Sequence, residues 1–107
     1  MKIALITACL AGVAHSKMAA LALKKEAKIR GHEICVEQQG GHKIPVKISK
    51  EQIEQADVVI IAKMVSISGK DRFKGKNILD VSVNEALRKP SLIMDKAELL
   101  IKKQFDD

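Results

Sequence analysis

The chain has 107 residues, 47% hydrophobic and 2% aromatic, with no Trp or Tyr. That is length for one domain with an aliphatic core of its own, without the aromatic platforms on which single-stranded nucleic acid stacks. The net charge of +6 reads as a solvated lysine-rich surface, and no nucleic-acid partner is expected. Met1-Lys2 leads straight into a predicted strand, so no leader or cleavage site is expected, and no apolar run approaches a membrane span. Two cysteines make no disulfide framework. A cytoplasmic protein is expected.

In chain order, Lys2 to Ala8 is a predicted buried strand, a short apolar run ending at a loop. Cys9 to His15 is the loop, and Ser16 is the expected N-cap of the first helix. Met18, Leu21, Ala22 and their neighbours through Ile29 are its predicted apolar stripe. Lys24, Lys25, Glu26 and Lys28 are its wet side, and Gly31 its C-cap. His32 is expected to be an exposed connection.

Glu33 to Gln38 is a second strand, with Ile34 and Val36 on one face and Cys35 and Glu37 on the other. Cys35 is read as core. Cys9 and Cys35 then fall toward opposite ends of a parallel pair, too far apart for a bridge. Gly40-Gly41 breaks the strand, residues 42–48 form a loop holding His42 and Pro45, and Ser49-x-x-Gln52 is a capping box for a helix ending near Ala56.

Asp57 to Ala62 is apolar on both faces and should be central in the sheet. Lys63 to Lys76 is polar and irregular, broken by Gly69 and Gly75. Asn77 to Val81 is a fourth strand, Val83 to Lys89 is helical, and the pattern restarts at Pro90 into a helix over Ser91 to Lys103. This order predicts an α/β fold: a three-layer, doubly wound, four-stranded parallel sheet, Rossmann-like, with right-handed crossovers, in a single domain over residues 1–107. The start at Met1 and the end at Phe105-Asp106-Asp107 read as a free-standing subunit.

The informative stretch runs from Thr7 to Ser16. A thiol at the carboxyl end of a first strand, ahead of a helix start, sits where α/β folds bind ligands. The unpaired N–H groups of such a turn favour an anion, whether a phosphate or the thiolate itself. The loop has no Walker spacing, no Gly-x-Gly-x-x-Gly and no Cys-x-x-Cys. His15, His32 and His42 show no zinc-site spacing. The nearest mechanistic relative is the cysteine phosphatase loop, Cys-x5-Arg-Ser/Thr, against Cys9-x5-His15-Ser16 here. The clamping arginine is replaced by histidine. No second motif marks the acid and base that hydrolysis needs. The loop therefore favours phosphoryl transfer through Cys9, with a non-enzymatic anion-binding or regulatory module and a cysteine phosphatase as alternatives.

The residues then carry a resemblance. Thr7-Ala8-Cys9-Leu10-Ala11-Gly12-Val13-Ala14-His15-Ser16-Lys17-Met18-Ala19-Ala20 resembles the cysteine loop of the fructose-type enzyme IIB component of the phosphoenolpyruvate-dependent sugar phosphotransferase system. Gly31-His32-Glu33, Val36 to Gly40, Ala56 to Ile60, Arg72-Phe73-Lys74-Gly75-Lys76 and Val81 to Ala86 follow in the family's order. The resemblance implies a cytoplasmic phosphocarrier associating peripherally with a membrane permease. Cys9 would accept a phosphoryl group from a phosphohistidine of enzyme IIA and pass it to a fructose-like sugar in membrane enzyme IIC. Leu10, Ala11, Gly12, Val13, Ala14, His15 and Ser16 would cradle the phosphoryl oxygens, with no metal or cofactor. Leu10 and Ala11 replace the family's Pro and Thr, and Lys17 replaces an aromatic residue.

Overall fold

The computed structural model describes residues 1–9, 15–40, 47–64, 67 and 69–105. Four strands, β1 (Lys2–Cys9), β2 (Glu33–Gly40), β3 (Val58–Lys63) and β4 (Ile78–Ser82), form one parallel sheet in the order β2-β1-β3-β4. The helices are α1 (His15–Ile29), α2 (Lys50–Gln55), α3 (Val83–Arg88) and α4 (Pro90–Phe105), with a 3-10 turn at Lys70–Phe73 between β3 and β4.

The period-2 pattern of the strands divides the core into two layers. Ile3, Leu5, Val58, Ile60, Ala62 and Val81 meet Ala19, Ala20, Leu23 and Ala27 of α1, Val83 and Ala86 of α3, and Ile93, Met94 and Ala97 of α4. On the other face Ala4, Ile6, Val59 and Ile61 meet Ile48, Ile53 and Ala56 around α2, together with Phe73. Val58 to Ala62 is buried throughout, and β3 is an inner strand, as its unbroken apolar run predicts.

Local signals set most ends. Ser49 Oγ accepts from Gln52 N–H while Gln52 Oε1 accepts from Ser49 N–H, the predicted capping box. Gly31 takes φ +76°; its N–H donates to Lys28 O and His32 N–H to Ala27 O, a Schellman stop for α1. Pro90 opens α4, where its missing N–H is no loss.

Three expectations are corrected. Helix α1 begins at His15, so Ser16 lies inside its first turn rather than capping it; a boundary residue is what propensity decides least well. Met18 and Leu21 are exposed, and the inward stripe of α1 is Ala19, Ala20, Leu23 and Ala27. Both phases are amphipathic, and the alanines win because they bring the helix close to the sheet. The stretch Lys63 to Lys76 holds a 3-10 turn whose Phe73 is fully buried. A lone aromatic among charged residues has no period to reveal it.

Candidate functional site

Cys9 is the last residue of β1 and pairs with Gly40 of β2. On the other side of β1, Ala8 pairs with Lys63 of β3, and Met64 N–H donates to Ala8 O at 2.7 Å. From β1 the chain runs through α1 to β2 on one side, then through α2 back across β1 to β3 on the other. Cys9 therefore ends a strand at the sheet's topological switch point, where open α/β sheets form a crevice outside the strands' carboxyl ends. Residues 10–14 lead from it to α1, whose first turn begins at His15 and Ser16. The backbone thus brings Cys9, His15 and Ser16 to one edge of the sheet, with the positive end of a helix dipole beside a thiol-bearing residue. Leu10, Ala11, Gly12, Val13 and Ala14 lie outside the described residues, as does His42.

Thr7 precedes this edge on β1. It is fully buried, and its Oγ1 finds no hydrogen-bond partner among the described residues, a cost that most buried hydroxyls avoid.

The sequence reading missed an ion pair on the strand next to β1. Glu37 on β2 is fully buried. Arg72 grips it with both terminal nitrogens, Nη1 to Oε1 and Nη2 to Oε2, each at 2.9 Å. Ile48 N–H donates to Oε1 at 3.0 Å and Gln39 Nε2 to Oε2 at 2.7 Å. Arg72 Nε donates to Gly69 O at 2.8 Å, and its guanidinium lies 4.9 Å from the centre of the Phe73 ring. Burial pushes the Glu37 carboxyl up, but the Arg72 fork, Gln39 and Ile48 outweigh it and hold the pKa at about 2. The signal was present: a glutamate facing inward with Cys35 must find a cation.

The Arg-Phe-x-Gly-Lys segment gains roles from the same geometry. Arg72 pairs with Glu37, Phe73 fills the α2 face, Gly75 takes φ +85°, and Lys76 Nζ donates to Glu54 O and Ala56 O at the end of α2.

The remaining candidates lie elsewhere. Cys35 is half-buried opposite Ala4, toward the far end of the β1–β2 ladder from Cys9, and its Sγ donates to Ile3 O at 3.4 Å. Burial pushes this thiol up, which suits a core cysteine. His32 is not an exposed connection. Its Nδ1 accepts from the Met1 amine at 3.1 Å, so Nε2 carries the proton donated to Glu98 Oε1 at 2.8 Å. Its place just after the α1 stop turns the ring toward α4. Among the described helices, none is long and apolar enough to cross a membrane.

Known proteins share this sequence and fold. The family model described as "PTS system, Lactose/Cellobiose specific IIB subunit" matches residues 4–99. The "PTS system fructose-like EIIB component 2" of Escherichia coli K12 is 41% identical over 97 residues, covering 91% of this chain and 92% of that protein. The "PTS system fructose-specific EIIABC component" of Bacillus subtilis is 44% identical over 98 residues, 90% of this chain but 15% of that protein. Among solved structures, a domain of fruA from Bacillus subtilis superposes with TM-score 0.82 at 40% identity, covering 94% of this chain and 95% of that one. A predicted fructose-specific IIB from Escherichia coli gives TM-score 0.88 at 28% identity, covering 94% and 88%. A lactose-specific IIB domain from Streptococcus pneumoniae, at 14% identity and TM-score 0.52 with 90% and 94% covered, shares the fold alone.

Proposed function

Because the chain belongs to the IIB family of the sugar phosphotransferase system, and within it to the fructose type, we propose that it is a phosphoryl carrier acting through Cys9. The observation that carries this reading is the place of Cys9, ending β1 at the switch point of the sheet in a chain that matches fructose-type relatives along nearly its whole length.

The thiolate sulfur attacks the phosphorus of a phosphohistidine on a IIA protein. The S–P bond forms as the N–P bond breaks, and the imidazole leaves with its electron pair. A hydroxyl of a sugar bound by a membrane IIC protein then attacks the same phosphorus and gives up its proton to a general base or water at that protein's sugar site, the S–P bond breaks, and the thiolate returns. In such transfers the transition-state charge spreads over the equatorial oxygens, so the protein's task is alignment and charge stabilisation. Residues 10–16, from Leu10 to Ser16, are the proposed cradle, with the α1 start supplying unpaired N–H groups. Residues 1–107 act as one IIB domain. Fusion supports the partners: relatives are named as EIIABC and EIIBC components, single chains joining B to C. The fructose named in these relatives supports a fructose-like sugar, and the carrier role places the domain at the cytoplasmic side of the permease.

The test is incubation with the phosphohistidine form of a fructose-type IIA domain, followed by mass spectrometry. A phosphoryl adduct on the Cys9 peptide is expected, and Cys9→Ser abolishes it. Labelling that survives Cys9→Ser refutes the assignment, and rapid turnover of an aryl phosphate makes the protein a phosphatase instead.

A further inference from the structure

We propose that the exposed face of α1 is an attachment surface for an anionic lipid bilayer: Lys17, Lys24, Lys25 and Lys28 meet headgroup phosphates while Met18, Leu21 and Ile29 dip to the boundary between headgroups and acyl chains. The proposal goes beyond phosphoryl transfer and takes from the carrier reading only the nearness of a membrane.

Four observations carry it. First, the face is continuous. Ala19, Ala20, Leu23 and Ala27 pack into the core, and at the helical period the opposite side of α1 carries those lysines and apolar residues, all of them exposed. From Lys17 to Ile29 the stripe is roughly 18 Å long. Second, its apolar members are bare: Met18 is 49% exposed, Leu21 56% and Ile29 69%. Third, its charge is of one sign and uncompensated. Glu26, on the flank of α1, is taken by Arg30, and no other carboxylate lies on this helix. Among the described residues the lysines in ion pairs are Lys2, Lys63 and Lys70, none of them on α1. Other helices mix their charges. Helix α2 exposes Lys50 with Glu51 and Glu54 and no large apolar side chain, and α4 sets an exposed Asp95 between Leu92 and Leu99. Fourth, every cation on the face is a lysine.

That last point favours lipid over protein. Protein interfaces are depleted in lysine and anchored by Arg, Trp and Tyr, and Met18 apart this face has none of the residues they favour. A lysine is a point charge on an apolar stem, so its head reaches a phosphate while the stem lies along apolar surface. Lysines with large apolar residues on one exposed helix face make a helix that lies on a membrane rather than across it. A second copy of the chain would set four cations against four. Helix α1 begins at the end of the sheet where β1 stops at Cys9, so the attachment keeps that edge near the bilayer. Three apolar side chains with no aromatic among them make it shallow and reversible.

The test is sedimentation of the full chain with phosphatidylcholine vesicles holding about 30% phosphatidylglycerol, at about 0.1 M salt. Binding is expected there, but not to phosphatidylcholine alone and not at about 1 M salt. Lys24→Gln with Lys25→Gln weakens partitioning about 25-fold, or about fivefold for each lysine. Lys50→Gln with Lys74→Gln makes the same charge change on α2 and after the 3-10 turn, and shifts partitioning by less than about twofold. All four lysines are exposed, so these variants keep the fold. The chain has no Trp or Tyr, so Leu21→Trp supplies a lone fluorophore. Its emission moves to the blue on the anionic vesicles and is quenched by lipids brominated high on the acyl chain. A wild type that does not bind, equal losses from the two lysine pairs, or an unmoved Trp emission overturns the proposal. Unchanged vesicle binding by the Lys24 and Lys25 variant, with a raised KM for a phosphorylated IIA domain, makes the face a protein site and overturns it too. Cys9 labelling is scored separately: vesicle binding by a protein that takes no phosphoryl group supports this inference while the carrier reading falls, and a labelled protein that ignores vesicles sinks this inference alone.

Discussion

Two arginines organise opposite ends of this sheet, and they do so differently. At the carboxyl end of the strands, Arg72 closes on one fully buried carboxylate, Glu37, and binds it through both oxygens. At the amino end, Arg30 spreads over three carboxylates. Its Nε donates to Glu26 at 2.8 Å, its Nη1 to Asp95 at 2.8 Å and to Glu98 at 2.7 Å, and its Nη2 to Ser91 Oγ at 3.0 Å. Hydrogen bonds to Glu26 and Asp95 hold Arg30 well above the usual guanidinium range. The far cluster has more partners, yet Asp95 is 60% exposed and Glu98 39%. Water and salt already screen those charges, whereas Glu37 has no solvent to fall back on. Number of contacts is therefore a poor guide to energy: the smaller cluster is the costlier one to break, and it is the one on β2 whose Glu37 pairs with Ile6 of β1.

Breaking one partner at the carboxyl end gives the largest effect. Glu37→Gln leaves Arg72, whose side chain is 27% exposed, without its counter-charge and lowers unfolding free energy by about 2–3 kcal/mol, read by urea denaturation. Protonation reaches the same pair. The folded Glu37 pKa of about 2 lies below its usual 4.5, so its contribution is fully present above the unfolded value and is lost as pH falls between those two values. Stability curves of the wild type and Glu37→Gln should converge over that window; parallel curves would show that Glu37 is not the acid-sensitive group.

At the amino end the chain reversal outweighs the ion cluster. Gly31→Ala forces a Cβ into left-handed backbone at φ +76°, although nothing stands within 4 Å of that position. The loss is about 1–2 kcal/mol, a purely conformational effect that salt leaves unchanged. Arg30→Met costs about 1 kcal/mol or less, and that loss shrinks with added salt. A loss from Arg30→Met equal to that of Glu37→Gln would erase the contrast between the two ends. The smallest effect returns to the β1 edge. Thr7→Val removes a buried hydroxyl that finds no partner among the described residues, so the melting temperature stays level or rises. A marked fall would reveal a hydrogen bond made to Thr7.

Much of this was legible in the chain. The alternation of Ile34 and Val36 with Cys35 and Glu37, the unbroken run from Val58 to Ala62, the Ser49–Gln52 box and Gly31 each act through neighbours a few residues away, and each element they predicted is present. The resemblance carried by Thr7 to Ala20 identified the family that the comparisons show. Of the candidate site, Cys9, His15 and Ser16 fall at one edge of the sheet, while the cradle from Leu10 to Ala14 lies outside the described residues.

What the sequence by itself determined was the order of elements, and with it the switch point at which β1 ends on Cys9. Local hydrogen bonding and hydrophobic period suffice for that, because both are set over a few residues. Tertiary structure decided the rest. It chose the alanine face of α1 over the Met18–Leu21 face, since only contact with the sheet separates two phases of similar pattern. It turned His32 toward Glu98 and buried Phe73 under α2's face. It also joined Glu37 to Arg72, which are 35 positions apart in the chain. A buried charge announces that it needs a partner; which of the chain's 19 lysines and arginines answers is settled only when the strands are laid side by side.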